Sequence, residues 1–274
     1  MSVANTDYDS LAVEREDSLA RIALDAPERN NTIDAELVGE LNDTLRRADN
    51  DRDVDGILLT STSQEVFCAG ADLEELSSLN LENSYRFLST YTDTVDLLWT
   101  TGKPVVAAVG GTCVAGGNEL VMGCDLIVAG ESARFGQPEA TVGSTAAGGG
   151  VQLLPLFVGM QRARDMLLTG RLLSAAEAEE WGLVTRVVED GTVEREARDL
   201  VAEIVAGKSP YAYRVMKGIL KRWYDSAMAG GVDEQLTAAV WTDESFRERA
   251  ASFMADEDLS SRPFAGTTGA VEDA

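Results

Sequence analysis

Glu119 stands in the stretch VAGGNEL, inside a segment (residues 104–129) that carries almost no other charge. A helix beginning near Gly116 would present unpaired N–H groups and the positive end of its dipole, which can hold an oxyanion or a phosphate. Glycine there lets a ligand approach the backbone closely. Glu119, three residues on, projects from the first turn on the same side as Gly116. Taken locally, the same residues also describe a carboxylate that only interacts with its own helix start. A nucleotide loop is excluded, because GTCVAGGN lacks the Lys-Ser/Thr pair that handles phosphate and magnesium.

Two further stretches offer compatible chemistry. In FGQPEATVGSTAAGGG, Glu139 follows Pro138 in a loop of small residues, and the run Gly148-Gly149-Gly150 opens another helix. Alone, Glu139 reads as a solvated loop residue. With Glu119 it forms a pair that could share one proton or flank one water. In FCAGADLEEL the small side chains leave the Ala71 N–H free to donate, while Asp72 and Glu74 begin a helix; the plain alternative is an acidic cap. The chain has no histidine, which removes Ser-His-Asp, Cys-His and His-containing metal chemistry. Cys68, Cys113 and Cys124 are scattered among small or apolar neighbours and read as reduced packing residues.

The elements that must position these groups follow from periodicity. Leu11–Glu16 and Leu19–Leu24 alternate like a hairpin turning at Asp17-Ser18. Ile33, Leu37, Leu41 and Leu45 predict an amphipathic helix entered through Asn31 or Thr32. Buried strands are expected at 54–60, 105–109 and 126–129, a short extended piece at 133–135 and a last strand at 183–188. Helices are expected between them at about 83–100, 116–124 and 148–158. Ser174 and Glu177 have capping-box spacing, and Gly182 suits the end of the helix that follows. Strands alternating with helices define an α/β core. From about residue 193 the pattern is wholly helical, so a boundary near 207 separates a core of residues 1–206 from a helical assembly region of residues 207–274.

Composition bounds the partners. With 23 basic residues against 47 acidic, the net charge is −24. Four of the basic residues are lysines and the remaining 19 arginines, which fits a surface adapted to high salt, or simply an acidic soluble protein. Such a charge opposes nucleic-acid binding. No uninterrupted apolar run reaches the ~20 residues of a membrane span, and the polar, acidic start MSVANTDYDS resembles no targeting segment, so a cytoplasmic location is expected.

Taken in order, these stretches resemble the enoyl-CoA hydratase/isomerase (crotonase) family, over about residues 11–260. FCAGADLEEL looks like the family's AGADL segment, and AAVGGTCVAGGNELVMGCDLIVA resembles A-x-x-G-x-x-x-G-G-G-x-E-L-x-x-x-C-D. FGQPEATVGSTAAGGGVQLLPLFVG and LLTGRLLSAAEAEEWGLVTRVV are similar to its next two motifs. The resemblance implies a crotonase-like spiral of strand and helix turns, with C-terminal helices assembling a homotrimer or a dimer of trimers. It implies that the N–H groups of Ala71 and Gly116 hold an acyl-CoA thioester carbonyl, and that Glu119 and Glu139 are the hydratases' two glutamates. Glu119 would activate water and Glu139 would protonate the α-carbon. Arg29, Ala71, Asp72, Leu73 and Gly116 are the expected acyl-CoA contacts, with Arg262 a weaker one. Coenzyme A belongs to the substrate, and neither a separate cofactor nor a metal is expected. Ala115 replaces the first of three glycines, Ala146-Ala147 replaces Pro-Gly, and Glu65 stands where relatives often place a basic residue. A Δ3,Δ2-enoyl-CoA isomerase, an acyl-CoA hydrolase and a non-catalytic acyl-CoA-binding subunit are the alternatives.

Overall fold

A computed structural model describes residues 3, 7–229 and 232–257 of the chain. Ten strands among the described residues form two sheets. Strands β1 (Leu11–Glu16), β2 (Leu19–Leu24), β3 (Gly56–Ser61), β5 (Val105–Val109), β7 (Leu126–Gly130) and β10 (Arg186–Val188) make the larger, neighbouring in that order. Strands β4 (Val66–Cys68), β6 (Thr112–Val114), β8 (Arg134–Gly136) and β9 (Leu172–Ser174) make the smaller. The expected hairpin pairs Leu11 with Leu24 and Glu16 with Leu19, and turns through Asp17 at a φ of 51°. Every residue of β3 and β5 is buried, as parallel strands covered on both faces require.

The chain winds as a spiral, each turn laying one strand in each sheet: β3 then β4, β5 then β6, β7 then β8. Within the small sheet β4, β6 and β8 are parallel neighbours. Their C-terminal ends therefore open side by side, where α/β sheets place ligands. Ala71, Gly116 and Glu139 each follow one of these three ends.

Eleven α-helices among the described residues surround the sheets. Helix α1 (Ala35–Asn50) buries Leu37, Leu41 and Leu45, but its cap is Asp34, whose side chain accepts the Leu37 N–H; neither Asn31 nor Thr32 caps it. Ile33 lies before the helix and bridges to Ala71. Next come α2 (Leu73–Ser78), α3 (Leu81–Thr100), α4 (Gly116–Met122), α5 (Gly150–Val158), α6 (Met160–Thr169) and α7 (Ala175–Trp181). The capping box of Ser174 and Glu177 is formed, and Gly182 ends α7 in the left-handed region. The strand expected over 183–188 is confined to Arg186–Val188, because Leu183 and Val184 turn back onto the Ala178 carbonyl.

Helix α8 (Val193–Val205) packs Val193, Ala197, Leu200 and Val201 on Leu58, Val106, Ala108 and Val128 of the large sheet. Helices α9 (Pro210–Met228), α10 (Val232–Thr242) and α11 (Glu244–Met254) complete the described chain. Helix α9 is fastened near the start of β7, where Lys217 Nζ (2.8 Å) and Tyr213 Oη (2.9 Å) both reach Asp125 Oδ2. Helix α10 meets α3 through an edge-on contact of Trp241 with Phe87, ring centroids 6.0 Å apart. The three cysteines are free thiols buried in the core. Among the described residues no helix is long and apolar enough to cross a membrane.

Candidate active site

A cavity of about 520 Å³ opens at the ends of β4, β6 and β8. Its size is that of a small-molecule site. Ala71, Gly116, Glu119 and Glu139 all line it, so three segments distant in sequence converge on one space.

The first edge is built by the chain after β4. Ile33 donates to the Gly70 carbonyl (2.8 Å) and accepts from the Asp72 N–H (2.9 Å), which holds the segment extended. The Ala71 N–H between them has no partner among the described residues. Asn31 fixes this edge from behind. It is fully buried, accepts from the Ala26 N–H (2.8 Å) and donates to Ser61 Oγ and the Phe67 carbonyl (2.9 Å each). Asx residues satisfy backbone groups in this way in irregular segments, but nothing in the local pattern pointed to this one.

The second edge is the start of α4. Ala115 sits at φ 51° and ψ −128°, a conformation that suits glycine, and turns the chain so that the Gly116 N–H emerges at the helix start. That N–H likewise has no partner among the described residues. Tyr91, reaching in from α3, donates its hydroxyl to the Gly116 carbonyl. A β-carbon at Gly116 would lie 2.9 Å from Ile33 Cδ1 and 3.3 Å from Tyr91 Oη, so any larger residue must displace the ends of these two side chains.

Glu119 is 3% exposed, and its Oε1 accepts the Gly150 N–H at 2.7 Å; the Gly148 N–H also bonds to the carboxylate. The glycine run at the start of α5 therefore turns its donors onto Glu119. Burial raises the Glu119 carboxyl to about 7, and the two N–H bonds oppose that rise. Glu139 opens a 3-10 turn, Glu139–Val142, after β8. The residue is half-buried, but its Oε2 is shut off from solvent with no hydrogen-bond partner. Burial first, and the Glu119 charge second, hold its carboxyl well above the ordinary carboxylate range. The two groups titrate as one pair and retain a proton where isolated glutamates would have lost it.

The remaining expected contacts are divided. Leu73 and Asp72 line the cavity, but the Asp72 carboxylate is engaged: it caps α2 by accepting the Glu75 N–H (2.9 Å) and takes the Thr32 hydroxyl (3.1 Å). Arg29 also lines the cavity, yet its guanidinium is bonded to Asp34 Oδ2 (2.5 Å), the Thr32 carbonyl (2.9 Å) and Ser10 Oγ (2.8 Å). Arg262 lies outside the described residues. Tyr91, Trp241, Phe253 and Met254 were not anticipated; they line the cavity from α3, α10 and α11. Their helical spacing is that of ordinary packing residues, and no local signal marks them.

The sequence model of the enoyl-CoA hydratase/isomerase family matches residues 14–257. A probable enoyl-CoA hydratase of Rhizobium meliloti is 37% identical over 250 residues, covering 90% of this chain and 96% of that protein. The short-chain-enoyl-CoA hydratase of Clostridium acetobutylicum is 31% identical, covering 88% and 90%. Among solved structures, an enoyl-CoA hydratase/isomerase from Xanthobacter autotrophicus Py2 superposes with a TM-score of 0.83 at 29% identity, over 91% of this chain and 94% of that one. The chain belongs to the enoyl-CoA hydratase/isomerase family, and its α/β spiral is the crotonase-like fold expected from the sequence.

Proposed function

We propose that the protein is an enoyl-CoA hydratase that adds water across the α,β double bond of an enoyl-CoA thioester. The observation that carries this reading is the pair of buried carboxylates, Glu119 and Glu139, facing one cavity with two unpartnered N–H donors. The thioester oxygen accepts from Ala71 and Gly116. Glu119, kept anionic by the Gly148 and Gly150 N–H groups, takes a proton from water as the hydroxyl oxygen bonds to the β-carbon. The π electrons move to the thioester oxygen, where the two donors and the α4 dipole stabilise the enolate charge. Glu139, protonated because of its burial and the charge beside it, then gives its proton to the α-carbon. Removing one donor of this kind typically costs 10²–10³ in rate, about 3–4 kcal/mol.

Fatty-acid or related acyl-CoA breakdown is the proposed setting, with coenzyme A as part of the substrate and no separate cofactor. Arg29 is the proposed contact for the CoA phosphates, and Asp72 and Leu73 would lie beside the pantetheine arm. Retention of both glutamates favours hydration over double-bond isomerisation or thioester hydrolysis. The experiment is the loss of conjugated-enoyl absorbance with crotonyl-CoA and longer enoyl-CoA substrates, for wild type, Glu119→Gln and Glu139→Gln. Hydration by wild type with at least a 10³-fold loss in each variant is expected; a folded wild type inert on every chain length sinks the reading.

Assembly as a homotrimer or a dimer of trimers is also proposed, with residues 207–274 as the assembly region. Its support is the stripe Tyr211, Val215, Ile219 and Trp223, exposed at four-residue spacing on α9. Light scattering would report the mass, and Trp223→Glu is expected to reduce it. The acidic composition supports a cytoplasmic, salt-adapted protein.

A further inference from the structure

The turn that carries Glu139 is not held by the spiral alone. The Ser144 N–H closes it onto the Glu139 carbonyl at 2.9 Å. Trp241 Nε1, from α10, donates to Ser144 Oγ at 2.7 Å. One turn earlier on α10, the Thr237 hydroxyl meets that of Thr145. From α11, Arg249 Nη2 (3.0 Å) and Nε (3.3 Å) reach the Thr141 carbonyl. Three side chains of α10 and α11 thus grip residues 141–145.

Trp241 has a second contact. It is 4% exposed, packs edge-on against Phe87 of α3 and lines the cavity. Its ring is therefore fixed at both ends: by an aromatic face on one side and by a hydrogen bond to the Glu139 turn on the other. A buried indole N–H bonded to a hydroxyl fixes rotamer and position together.

We propose that Trp241 is a positioning residue for Glu139 and one wall of the acyl pocket, which makes α10 part of the catalytic unit. This inference rests on the hydratase reading for the role of Glu139. Without the Trp241–Ser144 bond, the turn is tied to α10 only through Thr145 and Thr237, and water gains access to the Glu139 carboxyl. The charged group facing that carboxyl from α4 is Glu119; from α11, Arg249 faces the turn through the Thr141 carbonyl.

The test compares Ser144→Ala and Trp241→Phe, which remove the bond from either side and keep the packing, with Trp241→Ala, which also removes the wall. Ser144→Ala and Trp241→Phe are expected to lower kcat about tenfold, with KM for a short enoyl-CoA changed less than twofold. The Glu139 carboxyl, followed by carbon-13 glutamate NMR in the ligand-free protein and assigned by its absence in Glu139→Gln, should titrate at lower pH in both. Trp241→Ala is expected to gain affinity for decanoyl-CoA relative to butanoyl-CoA, measured calorimetrically. Equal kcat and an unmoved Glu139 titration in folded Ser144→Ala and Trp241→Phe overturn the positioning role; an unchanged chain-length preference in Trp241→Ala overturns the wall. If wild type shows no hydration but the titration and the binding preference move as described, the hydratase reading falls and the role of Trp241 in the site stands.

Discussion

Two helices in this protein begin on glycine-rich sequence, and their free N–H groups serve opposite ends. At α4, after Ala115, Gly116 lines the cavity and its N–H has no protein partner among the described residues. At α5, the Gly148 and Gly150 N–H groups turn inward and hold Glu119. Both are helix starts with positive dipole ends. The first meets no protein acceptor among the described residues; the second stabilises the negative charge of the protein's own carboxylate. What faces the glycine run, and not the run itself, decides which occurs.

The largest effect is expected from closing the second helix start. A β-carbon at Gly148 would lie 2.2 Å from Tyr91 Cε1 and 2.4 Å from Glu119 Oε2. Both the Gly116 anchor and the Glu119 carboxylate must then move. Gly148→Ala should lower kcat/KM by about 10³, on the scale of losing preorganised charge stabilisation, and lower Tm as well. A variant that retains activity within tenfold would break the link between the two helix starts.

The next effect separates the carboxylate that α5 holds from the one it does not. Glu139 has its carboxyl raised in the folded protein, mainly by burial. A raised carboxyl binds its proton more tightly folded than unfolded, so its stabilisation is complete at low pH and is lost as pH rises above the ordinary carboxylate range. The slope is up to about 1.4 kcal/mol per pH unit for each proton involved. Denaturant titrations from pH 4.5 to 8 should show wild type weakening with pH and Glu139→Gln weakening less, although it is nearly inactive. Parallel curves would show that Glu139 is solvated and the pairing with Glu119 absent.

Ionic strength distinguishes the outward-facing start from the inward-facing one. Arg29, paired with Asp34, is the one basic residue among the described residues lining the cavity, beside Asp72, Glu74, Glu119 and Glu139. An anionic CoA ester approaching a chain of net charge −24 meets repulsion that salt screens. The value of kcat/KM for an enoyl-CoA should rise several-fold between about 0.1 and 1 M KCl, while that for an enoyl-pantetheine thioester, lacking the nucleotide phosphates, should not. An equal rise for both substrates points to salt acting on the fold.

The smallest effect is at Ala115. Relief of its φ of 51° is partly offset by the freer unfolded chain of a glycine. Ala115→Gly should stabilise by roughly 0.5–1 kcal/mol, with kcat within a factor of two. A stability loss would mean that the methyl group packs favourably against its neighbours.

Much of the scaffold was legible because it follows local rules. The strands Leu11–Glu16, Leu19–Leu24 and Val105–Val109 fall where alternation and apolar runs place them, and the Ser174 capping box forms as its spacing requires. The small sheet was largely invisible: β4, β6, β8 and β9 have three residues each, too few to show a period. The GGTCVAGG segment reads as a glycine loop, yet contains β6.

The sequence by itself determined most strands of the large sheet, the family motifs and the presence of two glutamates in small-residue loops, because each is encoded within a window of a few residues. Only the tertiary structure brought those glutamates together. It placed both at one cavity, turned the Gly148 and Gly150 donors onto Glu119 and left Glu139 Oε2 shut off from solvent without a hydrogen-bond partner. It also brought Tyr91 and Trp241 to the site from helices whose local patterns announce only packing. Charge and desolvation depend on neighbours distant in the chain, and those neighbours exist only once the spiral has closed.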